Sequence, residues 1–138
     1  MKARDLPPKD LIEKLKEEHR ELPDQIDDAI LTFKTGNLSG AFPLIADIRE
    51  KIGQHTIDEE AVLLKIIIDK LGKDAAEPYI EILRAHVKIT KLVDDAVEST
   101  YTGWSETENL LLSLKQELKN HHNQEEDTFF PKVLQLIS

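Results

Sequence analysis

Apolar residues recur every three or four positions in four stretches of the chain, separated by three short interruptions. Leu15, His19, Leu22, Ile26 and Ile30 make the first stripe. Ile45, Ile48, Ile52, His55, Glu59, Val62 and Ile66 make the second. Tyr79, Leu83, His86, Thr90, Val93 and Val97 make the third; Leu111, Leu114, Leu118, His121 and Glu125 make the fourth, with Phe129 beyond. Steps of three and four place side chains on one face of an α-helix, and no stretch alternates as a half-buried strand would. Thr35-Gly36-Asn37-Leu38-Ser39-Gly40 reads as a loop, Leu71-Gly72-Lys73-Asp74 as a second break and Tyr101-Thr102-Gly103-Trp104 as a third. Pro7-Pro8-Lys9-Asp10 opens the first helix with Asp10 as the expected N-cap, and Ser105 with Glu108 fits a capping box for the fourth. Pro23 is expected to kink the first helix, and Pro131 to bend or end the fourth. Short links make successive helices antiparallel. The expected fold is all-α, an up-down-up-down four-helix bundle formed by one domain over residues 1–138.

Each apolar stripe is interrupted by one histidine, and two stripes carry a glutamate one turn later. His55-x-x-x-Glu59 and His121-x-x-x-Glu125 each put an imidazole and a carboxylate on one helix face. His122-x-x-x-Glu126 has the same spacing, but it shares its stripe with Lys115 and Lys119, so this pair is expected at the edge or outside. A buried ionised carboxylate without a partner costs several kcal/mol. Two of them with four imidazoles in one layer would be a severe defect unless cations neutralise them. Imidazole with carboxylate suits iron, manganese or zinc better than magnesium or calcium. With both glutamates bridging, two metals would keep open positions for a small ligand.

Composition narrows the function further. The net charge of −9 opposes binding to nucleic-acid phosphates, and no basic amphipathic stretch suits a lipid surface. The longest apolar runs, such as Ile66–Ile68, are far too short to cross a membrane. There are no cysteines, which removes disulfides, thiol catalysis and iron–sulfur ligation. The N-terminus lacks the apolar core of a signal peptide, so a cytoplasmic setting is expected. No histidine has a glutamate three residues before it, as ferritin-like bundles require, and the zincin motif His-Glu-x-x-His is absent.

The run His121-His122-Asn123-Gln124-Glu125-Glu126-Asp127-Thr128-Phe129-Phe130-Pro131 resembles the second His–His–Glu block of hemerythrin-like (HHE cation-binding) domains. His55-Thr56-Ile57-Asp58-Glu59-Glu60 resembles the first block without its usual proline. Glu18-His19-Arg20 is similar to the family's opening histidine motif, and His86 to its third-helix histidine. The resemblance covers nearly the whole chain. It implies a four-helix bundle with a non-haem di-iron centre, in which His19, His55, His86 and His121 are terminal ligands and Glu59 and Glu125 are bridges. It also implies a small ligand such as O₂ or NO, or a part in iron handling, stress response or iron-centre repair. Oxygen carriers of the family have a further histidine where this chain has Thr90. That departure points away from reversible O₂ carriage and towards the bacterial relatives linked to repair and stress. Two other readings accompany this one. The first is a metal-dependent sensor or binding module acting on a protein partner; the second is a structural site, with zinc in place of iron and no redox chemistry. The pattern leaves turnover and the choice between monomer and homo-oligomer open.

Overall fold

The computed structural model describes residues 3–138 and forms four helical rods. The first is α1 (Pro8–Lys34). The second is α2 (Leu38–Asp58), which continues through a π-helical turn at Glu59–Leu64 into α3 (Lys65–Leu71). The third consists of α4 (Lys73–Leu83) and α5 (Ala85–Thr102), parted at Arg84. The fourth runs from α6 (Thr107–Gln124) through a π-helical turn at Glu125–Phe129 into α7 (Phe130–Ile137). Among the described residues there is no strand, and no helix is long and apolar enough to cross a membrane.

The links are as short as the sequence suggests, but the caps differ. Asp10 lies inside the first turn of α1, where its charge suits the helix dipole; Pro7 occupies the cap position. Leu38, Ser39 and Gly40 belong to α2, whose N-terminus is closed by the Asn37 side chain accepting from the Gly40 amide at 3.0 Å. Gly72 alone separates α3 from α4, with φ at +84°, a conformation that favours a residue without Cβ. The expected capping box at Ser105 does not form. Ser105 lies in a 3₁₀ turn (Trp104–Glu106), and α6 starts at Thr107, whose buried hydroxyl pairs with that of Ser99 at 2.6 Å. Neither Pro23 nor Pro131 ends a helix. α1 runs unbroken through Pro23, and Pro131 sits in the first turn of α7, just after the π turn.

Two apolar clusters set the alternating direction of the rods. One joins Leu22, Ile26 and Ile30 of α1 to Ile45, Ile48 and Ile52 of α2, Ile89, Val93 and Val97 of α5, and Leu111, Leu114 and Leu118 of α6. Late residues of the odd rods thus meet early residues of the even ones. The other cluster reverses this, with Leu11 and Leu15 against Leu63, Ile67, Leu83, Phe129, Phe130 and Val133. The bundle is therefore up-down-up-down, and every predicted histidine lies between the clusters.

The inward stripes hold up to this level and then slip in one rod. A π turn takes an extra residue per turn, so every side chain beyond it moves round the axis. In the second rod, Leu63 and Ile67 are fully buried, whereas the expected Val62 and Ile66 are only half-buried. In the third rod, Ile89 is buried and Thr90 is exposed, which corrects the inward placement of Thr90. Tyr79 is half-buried against the second cluster.

Candidate metal centre

Four rods bring seven polar side chains to one level. His19 comes from α1, one turn before Pro23. His55 lies in the last turn of α2, and Glu59 begins the first π turn. His86 is the second residue of α5, just past Arg84. His121 and His122 lie in the last turn of α6, and Glu125 begins the second π turn. Both glutamates have no exposed surface, and none of the five histidines is more than 5% exposed. π turns are rare, and they concentrate at functional sites because they re-aim side chains.

The side chains fall into two groups, each with ligand atoms gathered closely enough to hold one ion. His19, His55, His122 and Glu125 form one, and Glu59, His86, His121 and Glu125 form the other. Glu125 belongs to both. Its Oε1 lies 3.2 Å from His19 Nε2 and 3.4 Å from His121 Nε2. Glu59 Oε1 lies 3.3 Å from His55 Nε2 and 3.1 Å from His86 Nε2. The six sequence-predicted residues, His19, His55, Glu59, His86, His121 and Glu125, are thus brought together.

His122 is the residue the sequence reading misplaced. It is buried, and its ring stacks on that of His19 at 3.6 Å with the planes 8° apart. Glu126, expected outside, is only partly exposed and accepts a hydrogen bond from His19 Nδ1 at 3.1 Å. The signal available in the sequence was the doubled histidine of the fourth-helix block. The neighbouring lysines masked it, although Lys115 is half-buried and paired to Asp27 at 2.8 Å.

Carboxylates outside the layer fix three of the rings. His55 Nδ1 donates to Glu18 at 3.0 Å, His86 Nδ1 to Glu60 at 3.2 Å, and His19 Nδ1 to Glu126. Each of these bonds leaves Nε2 pointing into the layer, the tautomer a metal ligand needs. The Nε2 atoms of His19 and His55 face each other at 3.1 Å, so two lone pairs would collide without a proton or a cation between them. Four atoms of Glu59, Glu125 and His121 on the inner side of the layer, and His121 Nδ1, have no hydrogen bond of sound geometry. Buried polar atoms left like this are costly. The donor set therefore fits a pair of cations.

Protons partly answer the same need in the metal-free core. Burial opposes charging His55, but Glu59 and Glu18 outweigh it and raise its pKa to about 9. His86 is also raised, because its contacts with Glu59 and Glu60 outweigh burial. Burial and the neighbouring cationic rings lower His19 to about 2, His122 to about 3 and His121 to about 4. Burial and the Glu59 charge push Glu125 well up. Glu59 is held well down despite its burial, by the charge of His55 and by the close polar contacts of Glu125, His55 and His86. The pair thus favours the charge on Glu59 and the proton on Glu125.

A small cavity of about 10 Å³ adjoins both groups, between Leu22, Ile52, Ile89 and Leu118 and the rings of His55, His86, His121 and His122. It has room for roughly one water-sized molecule. The family comparison bears on what such a site holds. Residues 10–133 match the hemerythrin HHE cation-binding domain. The chain belongs to that family. No curated protein and no solved structure matches it significantly. As a hemerythrin HHE domain it is a cation-binding protein, and its buried histidine–glutamate layer supplies groups able to hold metal ions.

Proposed function

We propose that this single domain is a non-haem di-iron protein of the cytoplasm that binds O₂, NO or a related small ligand, or handles iron in a stress or repair response. One ion would be held by His19, His55, His122 and Glu125, and the other by Glu59, His86, His121 and the shared Glu125. The observation that carries the reading is the set of buried, partnerless oxygen and nitrogen atoms gathered at one level between two apolar clusters. Iron in such a set supplies electrons and an exchangeable position to a diatomic ligand.

The chain's own residues define the rest. Glu18, Glu60 and Glu126 hold three imidazoles in the tautomer that exposes Nε2. Leu22, Ile52, Ile89 and Leu118 line the small cavity, which suits a neutral diatomic better than a hydrated ion. Phe130 lies 5.5 Å from the His19 ring on the opposite side and closes the layer from below. Five imidazoles gather here although Thr90 points outward, so His122 makes good the ring that Thr90 does not provide.

Elemental analysis of protein purified without chelator tests the reading, with about two iron ions per chain expected. His55→Ala and Glu59→Ala should each lower metal content and melting temperature together. Unchanged metal content and stability in both variants would overturn the ligand assignment. Two zinc ions in place of iron would favour the structural site over a redox centre.

A further inference from the structure

We infer that the two metal positions are unequal in preference: the position of His19, His55 and His122 takes a nitrogen-seeking divalent ion such as zinc first, and that of Glu59, His86 and His121 takes a harder ion such as manganese(II) or iron(II). This rests on the two-metal reading above and deepens it. The inequality is built on an internal repeat. His55-x-x-x-Glu59-Glu60 in the second rod and His121-x-x-x-Glu125-Glu126 in the fourth are matching blocks, and each runs into a π turn that begins at its first glutamate. Glu60 accepts from His86 of the third rod as Glu126 accepts from His19 of the first. The two halves of the site are thus related, rod by rod, by an approximate twofold exchange.

The exchange fails at two places, and both failures favour the same position. Thr56 stands in the second-rod block where His122 stands in the fourth. The first position therefore has three imidazoles and the second has two, with Glu125 common to both and Glu59 Oε1 lying between His55 of the first and His86 of the second. Thr56 is half-buried and lines the small cavity with His55, His86, His121 and His122, and the twofold exchange that pairs His122 with His19 pairs position 56 with His86 of the second group. Glu18, which precedes His19, orients His55; its counterpart before His86 is Ala85, and no carboxylate meets His121 Nδ1. Imidazole-rich, well-oriented sites favour zinc, whereas carboxylate oxygen favours manganese and iron.

Stepwise titration of the metal-free protein with zinc, followed through isotope-labelled histidine side-chain resonances, tests this. Elemental analysis confirms how many ions bind. The first equivalent should shift His19, His55 and His122 and leave His86 in place; the second should shift His86 and His121. Manganese(II) added after one equivalent of zinc should bind once per chain and broaden His86 and His121 more than His19. If all five rings move together, or His86 and His121 move first, the inequality is wrong although two ions bind. If fewer than two ions bind, the two-metal reading itself fails. His122→Thr should remove the preference and weaken the first step by at least about tenfold. Thr56→His should strengthen the second step without loss at the first, so the inequality can be tested even if His122→Thr does not fold. A second step unchanged by Thr56→His would overturn the role given to that position.

Discussion

Replacing Glu125 by glutamine separates a metal ligand from a fold-holding residue, because the two roles predict different stabilities. Glu125 has no exposed surface, and both its oxygens lack a hydrogen-bond partner. Burial and the charge of Glu59 favour its protonated form in the metal-free core. A carboxamide has almost the same shape and no charge, and its N–H can donate towards His19 Nε2 or His121 Nε2, which now lie 3.2 and 3.4 Å from Oε1. One such bond is worth about 0.5–1.5 kcal/mol. Metal-free Glu125→Gln should therefore melt within a few degrees of the parent, or slightly above it. With metal the comparison reverses, since both ions lose a shared ligand. An ion in thousandfold excess over its dissociation constant adds about 4 kcal/mol. For a chain of this length 1 kcal/mol corresponds to roughly 3–4 °C. The parent should gain on the order of 12–16 °C on loading, and the variant only a small part of it. Calorimetric melts of both proteins, stripped and loaded, give the answer. A metal-free variant that melts more than about 10 °C below the parent would mean that Glu125 holds the bundle together and not the ions.

Three further outcomes are expected. Leu63→Ala should cost about 2–5 kcal/mol in denaturant unfolding and Val62→Ala much less, because the π turn buries the first fully and leaves the second half-exposed. Equal costs would show that the helix keeps ordinary α register there. Metal uptake should release protons from His55, His86 and Glu125, whose pKa values are all raised. Affinity should accordingly climb with pH until His55 loses its proton near pH 9, and calorimetry in buffers of different ionisation enthalpy counts the protons. Ile89→Phe narrows the small cavity without replacing a proposed ligand, so the loaded protein should keep its metal content while stopped-flow binding of NO slows. Unaltered kinetics would place the ligand elsewhere.

The four stripes, their order and the position of six of the seven histidines and glutamates in the polar layer were legible in the sequence, because 3.6-residue periodicity survives wherever the backbone is a regular α-helix. What was hidden lies at the π turns. Glu125, Phe129 and Val133 keep a spacing of four, which an ordinary helical face also shows, so Phe129 follows the stripe and the π turn leaves no mark on it. In the second rod Val62, Leu63 and Leu64, and then Ile66, Ile67 and Ile68, offer an apolar side chain at every phase, so the slip leaves no trace in the pattern. His122 was hidden differently. Adjacent residues on a helix diverge by about 100°, and only a layer opened to the side of α1, where His19 stacks on it, has room for both rings of the doublet. Thr90 and Ile89 are each one helical step from His86, and only packing against Leu118 and Ile52 selects the isoleucine.

Three of the four rods depart from regular α-helix near the same height, at the π turns opening at Glu59 and Glu125 and at the parting at Arg84 just before His86, and the first rod, though unbroken, carries Pro23 one turn beyond His19. Pro23 has no N–H for the His19 carbonyl, and π turns hold their hydrogen bonds less well than α turns. The molecule therefore has a soft waist between two firm ends. Amide exchange in the stripped protein should be quickest at mid-height, in the turns from Glu59 to Leu64 and Glu125 to Phe129, and slower in the flanking clusters. Such breathing would let a hydrated ion reach a chamber that is closed at rest, and the arriving ion would then tighten the very turns that admitted it.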